Sequence, residues 1–316
     1  MLNPDVCRFA PTTSGRAHPG TLLAALLAWL DARSRKAQLV LRLEDIAPYG
    51  IRDEWRQGLI DDLTWFGLDW DQTVWQSKQR VNHEALLDQL AETGRLYVCS
   101  CTRSTVAKAG IPSLAGGWVY PGTCRNHRVK DWRSAEGNIR LDLSDFAIEL
   151  QDESGLDLSQ LPGRDMGDPL LHRVDGSFSY MLAVVADDHA VGVTRIVRGR
   201  DLASSSATQT ALYRLCGWQE PTYRHHMLFL EHQGEKFAKL HGAVGADTLK
   251  LVYDAGTLRG MLSRAAGFWQ GAGPVTTSEL LSTFDWNQVS KNDVTLRWHE
   301  SELQIQREGV FHRLCD

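Results

Sequence analysis

The sequence predicts an α/β fold built on a doubly wound parallel sheet. Two observations predict it: strand-like and helix-like segments alternate in the first part of the chain, and the strand-like segment at 38–43 is almost entirely apolar. Unbroken apolar strands are typical of parallel sheets that helices cover on both faces. The chain has 316 residues. Because single cores stop growing at about 250–300 residues, we expect one large domain and at least one smaller one.

The first elements of the sheet follow in order along the chain. Residues 6–10 indicate a short strand, and a loop containing proline and glycine follows it. Leucines at helical spacing then predict a helix, at positions 22, 23, 26, 27 and 30. Beyond the strand at 38–43, further helices are predicted over 51–66 and 81–90. This order is the one expected of a doubly wound sheet.

An insertion interrupts the alternation, because residues 96–180 hold a cysteine cluster and few periodic apolar positions. The core pattern resumes over 178–186, and it continues with a strand at 193–198, a helix at about 204–216 and a strand at 226–230. We therefore expect three parts, which are a split sheet domain (1–95 and 181–244), an inserted domain (96–180) and a mostly helical C-terminal segment (245–316). Within the last part, residues 295–307 alternate loosely, as a hairpin would.

Composition limits the possible classes of protein. The chain carries 34 Lys+Arg and 39 Asp+Glu, so a globally basic nucleic-acid coat protein is excluded. The longest apolar stretch, 21–30, is far shorter than the ~20 residues that a membrane span needs. The start of the chain has neither a basic nor an apolar region typical of a signal peptide. Cysteines at 7, 99, 101, 124, 216 and 315 favour a metal cluster in a reducing cytoplasm over a disulfide framework.

Three charged residues stand where predicted strands end, namely Arg8, Glu44 and Arg198. Ligands of open parallel sheets bind beyond the carboxyl ends of the strands. Two guanidiniums and one carboxylate could bind a zwitterion with two carboxylates, such as glutamate, because arginine pairs with carboxylates bidentately. From position alone, however, solvated strand ends are the commoner interpretation.

Two further segments could bind phosphate. His18 and Gly20 stand where the first loop enters the first helix, and a helix amino terminus attracts phosphate. Lys236 and Lys239 lie in a glycine-flanked loop after the last predicted strand, where they could neutralise a triphosphate. Ordinary turn and surface-loop chemistry would explain both segments equally well.

Cys99, Cys101 and Cys124 could supply three thiolate ligands to zinc, which prefers four ligands in structural sites. The fourth ligand is open: His127 would give conventional chemistry, whereas Tyr120 would have to lose a phenolic proton. Three free thiols in a loop are the alternative.

The segment 102–134 is locally basic on an acidic chain. It carries one acid, Asp131, and six basic residues: Arg103, Lys108, Arg125, Arg128, Lys130 and Arg133. Such a segment suits contacts with RNA phosphates. A solvated, disorder-prone loop is the alternative.

Together these segments resemble class I aminoacyl-tRNA synthetases of the glutamyl type. The sequence Arg8-Phe9-Ala10-Pro11-Thr12 looks like the family's opening loop, His18-Pro19-Gly20-Thr21 like its HIGH motif, and Lys236 to Leu240 like its KMSKS motif. The segments around Glu44 and Arg198 also match, so the resemblance covers about residues 5–245. Two departures stand out, since Thr21 replaces the final histidine and the two serines of KMSKS are absent.

The match is closer to the branch that acts on queuosine in tRNA(Asp), because Cys99, Cys101, Tyr120 and Cys124 look like its zinc segment. Only 77 residues follow Lys239, which leaves no room for anticodon-binding domains of ~100–150 residues each, and this branch is known to lack them. The resemblance implies a Rossmann-like nucleotide-binding sheet, one structural zinc ion with Tyr120 as fourth ligand, and ATP with Mg²⁺ as substrate.

The resemblance also implies the roles of the site residues. Glutamate would be bound by Arg8, Phe9, Ala10, Pro11, Thr12, Glu44, Tyr180 and Arg198, and ATP by His18, Gly20 and Lys239 with Lys236 assisting. Glutamyl-adenylate would form first, and the glutamyl group would then pass to queuosine in the anticodon arm of tRNA(Asp). Two alternatives stay open: an enzyme that charges the ordinary 3′ end of a tRNA, and a non-catalytic RNA-binding paralogue. No obligate protein partner and no membrane association are expected.

Overall fold

The computed structural model describes residues 5–46, 53–231 and 244–314. The chain divides into two compact units. The first unit comprises residues 1–75, 197–200 and 226–316, and the second comprises 76–196 and 201–225. The first division along the chain therefore falls at residue 75, whereas the sequence placed it near residue 95.

A parallel sheet organises the first unit, as predicted. Its strands β1 (Val6–Phe9), β2 (Gln38–Leu43) and β3 (Gln72–Trp75) are all parallel, with Arg8 opposite Val40 and Val40 opposite Gln72. Two later strands, β7 (Arg195–Gly199) and β8 (Thr222–His226), follow in the five-stranded order β3-β2-β1-β7-β8, and of these only residues 197–199 of β7 and His226 of β8 are counted in the first unit. Strand β2 is buried at every position but the first, which explains its apolar sequence.

Helix α1 (Pro19–Ser34) packs into the core of the first unit and is apolar on most of its surface. Proline at the first helical position favours the start of the helix. The helix ends just before Lys36, which has a φ of 54°. Helix α2 (Asp53–Trp65) contributes Leu59 and Leu63 to the same core.

The C-terminal part of the first unit combines helices with a second sheet. Helices α8 (Ala246–Val252), α9 (Ala255–Ala265) and α10 (Thr277–Thr283) precede strands β10 (Val294–His299), β11 (Glu302–Arg307) and β12 (Val310–Arg313). With β9 (Phe229–Leu230), these strands form a sheet in the order β12-β11-β10-β9. The predicted hairpin at 295–307 is confirmed as the antiparallel pair β10 and β11.

Two expectations for this region need correction. The single strand predicted at 226–230 was wrong, because the described residues form two short strands, β8 and β9, that belong to different sheets. The mostly helical segment expected after 245 also contains three strands that follow its helices. Their alternation is weak because these strands are only partly buried.

The second unit holds helices on a small antiparallel sheet. Its strands β4 (Leu96–Cys99), β5 (Asn138–Leu141) and β6 (Leu170–His172) pair in that order. Its helices are α3 (Arg80–Glu92), α4 (Arg103–Ala107), α5 (Pro162–Asp165), α6 (Tyr180–Ala190) and α7 (Ser206–Leu215). Leucines 86, 87, 182 and 212 lie in its core with Ile139. Among the helices that the structure describes in either unit, none is long and apolar enough to cross a membrane.

Candidate active site and metal centre

Three neighbouring strands of the first unit carry the charged residues that the sequence singled out. Arg8 lies in β1 and Arg198 in β7, while Glu44 directly follows β2, and these strands are adjacent in the order β2-β1-β7. Arg8 is 4% exposed, Arg198 is 5% exposed and Glu44 is 7% exposed. The interpretation as solvated strand ends was therefore wrong.

The loop after β1 is bonded directly to Glu44. The backbone N–H of Glu44 donates to the carbonyl of Pro11 at 3.0 Å, and the N–H of Thr13 donates to the carbonyl of Glu44 at 3.2 Å. These bonds extend the pairing of β1 with β2 beyond both strands, with Thr12 opposite Glu44. On the other side, a guanidinium N–H of Arg8 donates to the carbonyl of Val197 at 3.4 Å. The fold thus places the segment 8–12 between Glu44 and β7.

Arg42 is a partner of the candidate site residue Glu44 that sequence reasoning missed. Its guanidinium lies 3.2 Å from a carboxylate oxygen of Glu44, and the two side chains are 1% and 8% exposed. Residues two apart on a strand share one face, so Arg42 and Glu44 point to the same side. A lone arginine inside an otherwise apolar strand was the signal that could have revealed this partner.

His18 caps the amino end of α1. Its Nδ1 accepts the backbone N–H of Thr21 at 3.3 Å. In the neutral ring the proton then resides on Nε2, which is a hydrogen-bond donor. Gly20 makes room for this pose, because a Cβ at position 20 would lie 3.1 Å from Cε1 and 3.2 Å from Nδ1 of His18. Besides letting a ligand approach, which the sequence indicated, this glycine leaves space for the imidazole.

Three further predicted site residues are accounted for as follows. Tyr180 is the first residue of α6, in the second unit. Lys236 and Lys239 lie outside the described residues.

The cysteine cluster forms a candidate metal centre in the second unit. Within the described ranges, the sulfur atoms of Cys99, Cys101 and Cys124 lie within 4.8 Å of one another. The sulfurs of Cys101 and Cys124 are 3.6 Å apart. Two thiolates on one tetrahedral zinc ion would be separated by about 3.8 Å, given Zn–S bonds of about 2.3 Å. The three thiols therefore fit a zinc ion: Cys99 is the last residue of β4, Cys101 follows it by two residues, and Cys124 comes from a later loop.

Tyr120 lies beside these thiols, whereas His127 does not. The hydroxyl of Tyr120 is 3.8 Å from the sulfur of Cys101, and it accepts the backbone N–H of Cys124 at 2.8 Å. Tyr120 is buried, while His127 is exposed and is not part of the metal-binding group found among the described residues. The geometry therefore favours Tyr120 over His127 as a fourth ligand.

The surroundings of Tyr120 suit a phenolate only when a cation is close. Burial raises the pKa of the Tyr120 phenol, as do its hydrogen bonds to the thiols. Without a metal ion the phenol is therefore neutral at pH 7. The guanidinium of Arg140 lies 4.1 Å from the ring centroid and favours negative charge on the ring. Zinc would supply the remaining stabilisation, as it does for other acidic ligands.

The basic segment 102–134 is less positive in the fold than in the sequence. Arg125 pairs with Asp168 at 2.7 Å, Arg128 with Asp142 at 2.5 Å, and Arg133 pairs with Asp88. All three acids come from outside the segment. The other three basic side chains are exposed and pair with no acid in the described part of the chain: Arg103, Lys108 and Lys130.

Comparisons with known proteins show the family of the chain. Residues 6–307 match the family model of the catalytic domain of class I tRNA synthetases (E and Q). The chain is 40% identical over 280 residues to a glutamyl-Q tRNA(Asp) synthetase of Nitratidesulfovibrio vulgaris, which covers 82% of this chain and 86% of that protein. It is 36% identical over 309 residues to one of Symbiobacterium thermophilum, which covers 92% and 95%.

A solved structure shares the fold. It is a glutamate tRNA ligase from Elizabethkingia meningosepticum in complex with its amino acid, with a TM-score of 0.75 and 21% identity. The superposition covers 93% of this chain and 67% of the ligase.

Proposed function

Because the chain belongs to the glutamyl- and glutaminyl-type class I tRNA synthetases, and among them to the glutamyl-Q tRNA(Asp) synthetases, we propose that it transfers glutamate to queuosine in tRNA(Asp). The observation that carries the proposal is the identity of 36–40% to proteins of that name over most of the chain. Enzymes of this family are ligases that use ATP and Mg²⁺.

Glutamate is recognised by charge. Arg8 and Arg198 engage the two carboxylates, and Glu44 accepts the α-ammonium group. The burial of all three supports this assignment, since a buried charge that contacts a ligand discriminates strongly between charged and uncharged ligands. The segment Phe9–Thr12 lines the amino acid, and Tyr180 adds a hydroxyl. Arg42 acts on the substrate only through Glu44, whose carboxylate it holds in place.

The first step forms glutamyl-adenylate. A glutamate carboxylate oxygen attacks the α-phosphorus of ATP, the α–β phosphoanhydride bond breaks, and pyrophosphate leaves. The Mg²⁺ that accompanies ATP would neutralise part of the negative charge of the pyrophosphate. The phosphates are stabilised by the Nε2–H group of His18, by the amino end of α1 beside Gly20, and by Lys236 and Lys239. Positioning and electrostatic stabilisation suffice for this step, so no covalent enzyme intermediate is needed.

In the second step a hydroxyl of the queuosine cyclopentene-diol attacks the adenylate carbonyl. An ester forms and AMP leaves. The insertion contacts the anticodon arm, and its three exposed cations without an acidic partner support phosphate contacts there. Cys99, Cys101, Tyr120 and Cys124 would hold one structural zinc ion, which would fix the chain that carries these cations.

A transfer assay tests the acceptor. The protein is incubated with ATP, labelled glutamate and either tRNA(Asp) carrying queuosine or an unmodified transcript of the same tRNA, and the 3′-terminal adenosine is then removed. We expect label only on the queuosine-containing tRNA, and we expect it to survive removal of the adenosine. Label that is lost with the adenosine would instead identify an enzyme that charges the 3′ end. A protein that activates no glutamate would be a non-catalytic paralogue.

A binding series tests the insertion's role. Changing Arg103, Lys108 and Lys130 together to glutamine is expected to weaken binding of tRNA and to reduce the slope of log K against log salt by up to about 3. Arg133→Gln is the matched control, because its charge is already paired with Asp88. An equal effect of both variants would contradict the assignment, provided that both melt at the wild-type temperature.

A further inference from the structure

A buried carboxylate in the first unit takes no part in the function proposed above. Asp62 lies on α2 with its side chain fully buried. One of its oxygens accepts from Nη2 of Arg16 at 2.5 Å and from Nζ of Lys250 at 2.7 Å, and the other accepts the backbone N–H of Ala17 at 3.1 Å. The side chain of Arg16 is only 30% exposed and that of Lys250 only 24%. Partly desolvated ion pairs of this kind depend strongly on every partner.

This cluster joins the turn before His18 to α8. Arg16 and Ala17 directly precede His18, and Lys250 lies on α8, the first helix that the structure describes after residue 231. The backbone N–H of Ala246, the first residue of α8, also donates to the carbonyl of Ala17 at 2.7 Å. Both backbone polar groups of Ala17 are therefore bonded, one to Asp62 and one to α8.

Helix α2 leaves space for the side chain of Arg16. Gly58 stands one helical turn before Asp62 and so shares its face. A Cβ at position 58 would collide with the guanidinium of Arg16. The missing side chain thus provides the space along which Arg16 reaches the carboxylate.

We propose that Asp62 is a positioning residue for ATP. By fixing Ala17, it sets the direction in which His18 and the amino end of α1 face the nucleotide phosphates, and through Lys250 it ties this turn to α8. The inference rests on the proposed function, because it concerns the same adenylation site. Misplacement of a binding group by about 1 Å can cost about 100-fold in rate, so a clamp one residue from His18 has a measurable effect.

Asp62→Asn tests the proposal, with Asp61→Asn as its matched control. Asp61 is the neighbouring carboxylate on α2 but is exposed and bonds only to Gln57 among the described residues. In glutamate-dependent ATP–pyrophosphate exchange, we expect Asp62→Asn to raise the KM for ATP about tenfold and to change the KM for glutamate by less than about twofold. A merely structural role would impair both substrates in proportion.

A second variant keeps the test decisive if Asp62→Asn folds poorly. Lys250→Met leaves Asp62 bonded to Arg16 and Ala17, and we expect it to raise the KM for ATP about threefold with the same selectivity. The inference is overturned if either folded variant matches Asp61→Asn, or if the constants for ATP and glutamate rise together.

Direct nucleotide binding separates this inference from the proposed function. Calorimetry with adenosine 5′-(β,γ-imido)triphosphate needs no glutamate and no turnover. If the wild-type protein binds the analogue and Asp62→Asn binds it about tenfold more weakly, Asp62 positions a nucleotide even where exchange fails and the proposed function falls. Equal binding by both proteins would refute the role of Asp62, whatever the exchange assay gives.

Discussion

The guanidinium of Arg42 lies 3.2 Å from the carboxylate of Glu44, and both side chains are almost completely buried. This pairing gives Glu44 a fixed direction. A buried carboxylate held in one direction beside β1 and β7 is what recognition of an α-ammonium group requires.

Glu44→Gln is therefore expected to reduce kcat/KM for glutamate by about 100-fold, through loss of the ammonium contact. It also leaves the guanidinium of Arg42 without this partner, so we expect a clear drop in the melting temperature, since breaking a buried pair costs about 3–5 kcal/mol. Steady-state exchange kinetics and thermal melts measure the two effects. Glu92→Gln, at an exposed position, is the control. Wild-type kinetics in folded Glu44→Gln would remove Glu44 from the site.

Gly20→Ala tests the space beside His18. The added Cβ would press on the imidazole at 3.1 Å, so we expect the ring to shift and the KM for ATP to rise. Loss of the cap would destabilise the protein by about 1 kcal/mol. A double-mutant cycle with His18→Ala isolates the mechanism, since the double variant should bind ATP no worse than His18→Ala alone. Fully additive effects would show that Gly20 acts independently of His18.

Metal analysis decides between the two candidate fourth ligands. We expect about one zinc ion per chain in the wild-type protein and in His127→Ala. Tyr120→Phe keeps the ring but loses the ligand oxygen, so it should release zinc to a chelator much faster. Faster release from His127→Ala than from Tyr120→Phe would assign the site to histidine.

Acid should destabilise the protein partly through Asp152. Burial alone would raise the pKa of this carboxyl, but hydrogen bonds from His225 and Ser154 outweigh it and hold the pKa at about 2, below the usual 3.8. A pKa that folding lowers contributes stability above the unfolded value, and this stability is lost as the pH falls through the folded value.

The free energy of unfolding should therefore fall as the pH drops from about 4 to about 2. In Asp152→Asn the slope of this free energy against pH should be smaller, by an amount equal to the uptake of up to about one proton on unfolding. Chemical denaturation at several pH values in this window measures the slope. A slope for Asp152→Asn equal to that of the wild-type protein would contradict the assignment.

The parallel sheet could be predicted from sequence because a strand that is buried on both faces has an almost unbroken apolar sequence. Strand β2 was predicted at its observed bounds, since an apolar run between turns has few other interpretations. Strand β3, with two exposed positions out of four, carried no such signal and was missed. Strands β10 to β12 gave only weak alternation for the same reason.

The candidate site could be proposed from the sequence as a set of residues but not as a set of contacts. Arg8, Glu44 and Arg198 were singled out because strand ends attract ligands and because the segments around them resemble a known family. The contact of Arg42 with Glu44 was missed although a lone arginine in an apolar strand pointed to it, whereas nothing in the sequence says that Asp62 faces Arg16. The basic insertion was overestimated for a related reason: acids distant in sequence, such as Asp168 and Asp142, neutralise it in the fold.

The decisive measurement for glutamate selection is glutamate-dependent exchange of pyrophosphate into ATP, made without tRNA on the wild-type protein and on Arg198→Ala. We expect exchange with L-glutamate, none with L-glutamine, and loss of the activity in folded Arg198→Ala. Exchange that persists in Arg198→Ala, or that glutamine supports equally well, would contradict a site in which two buried guanidiniums select an acidic amino acid.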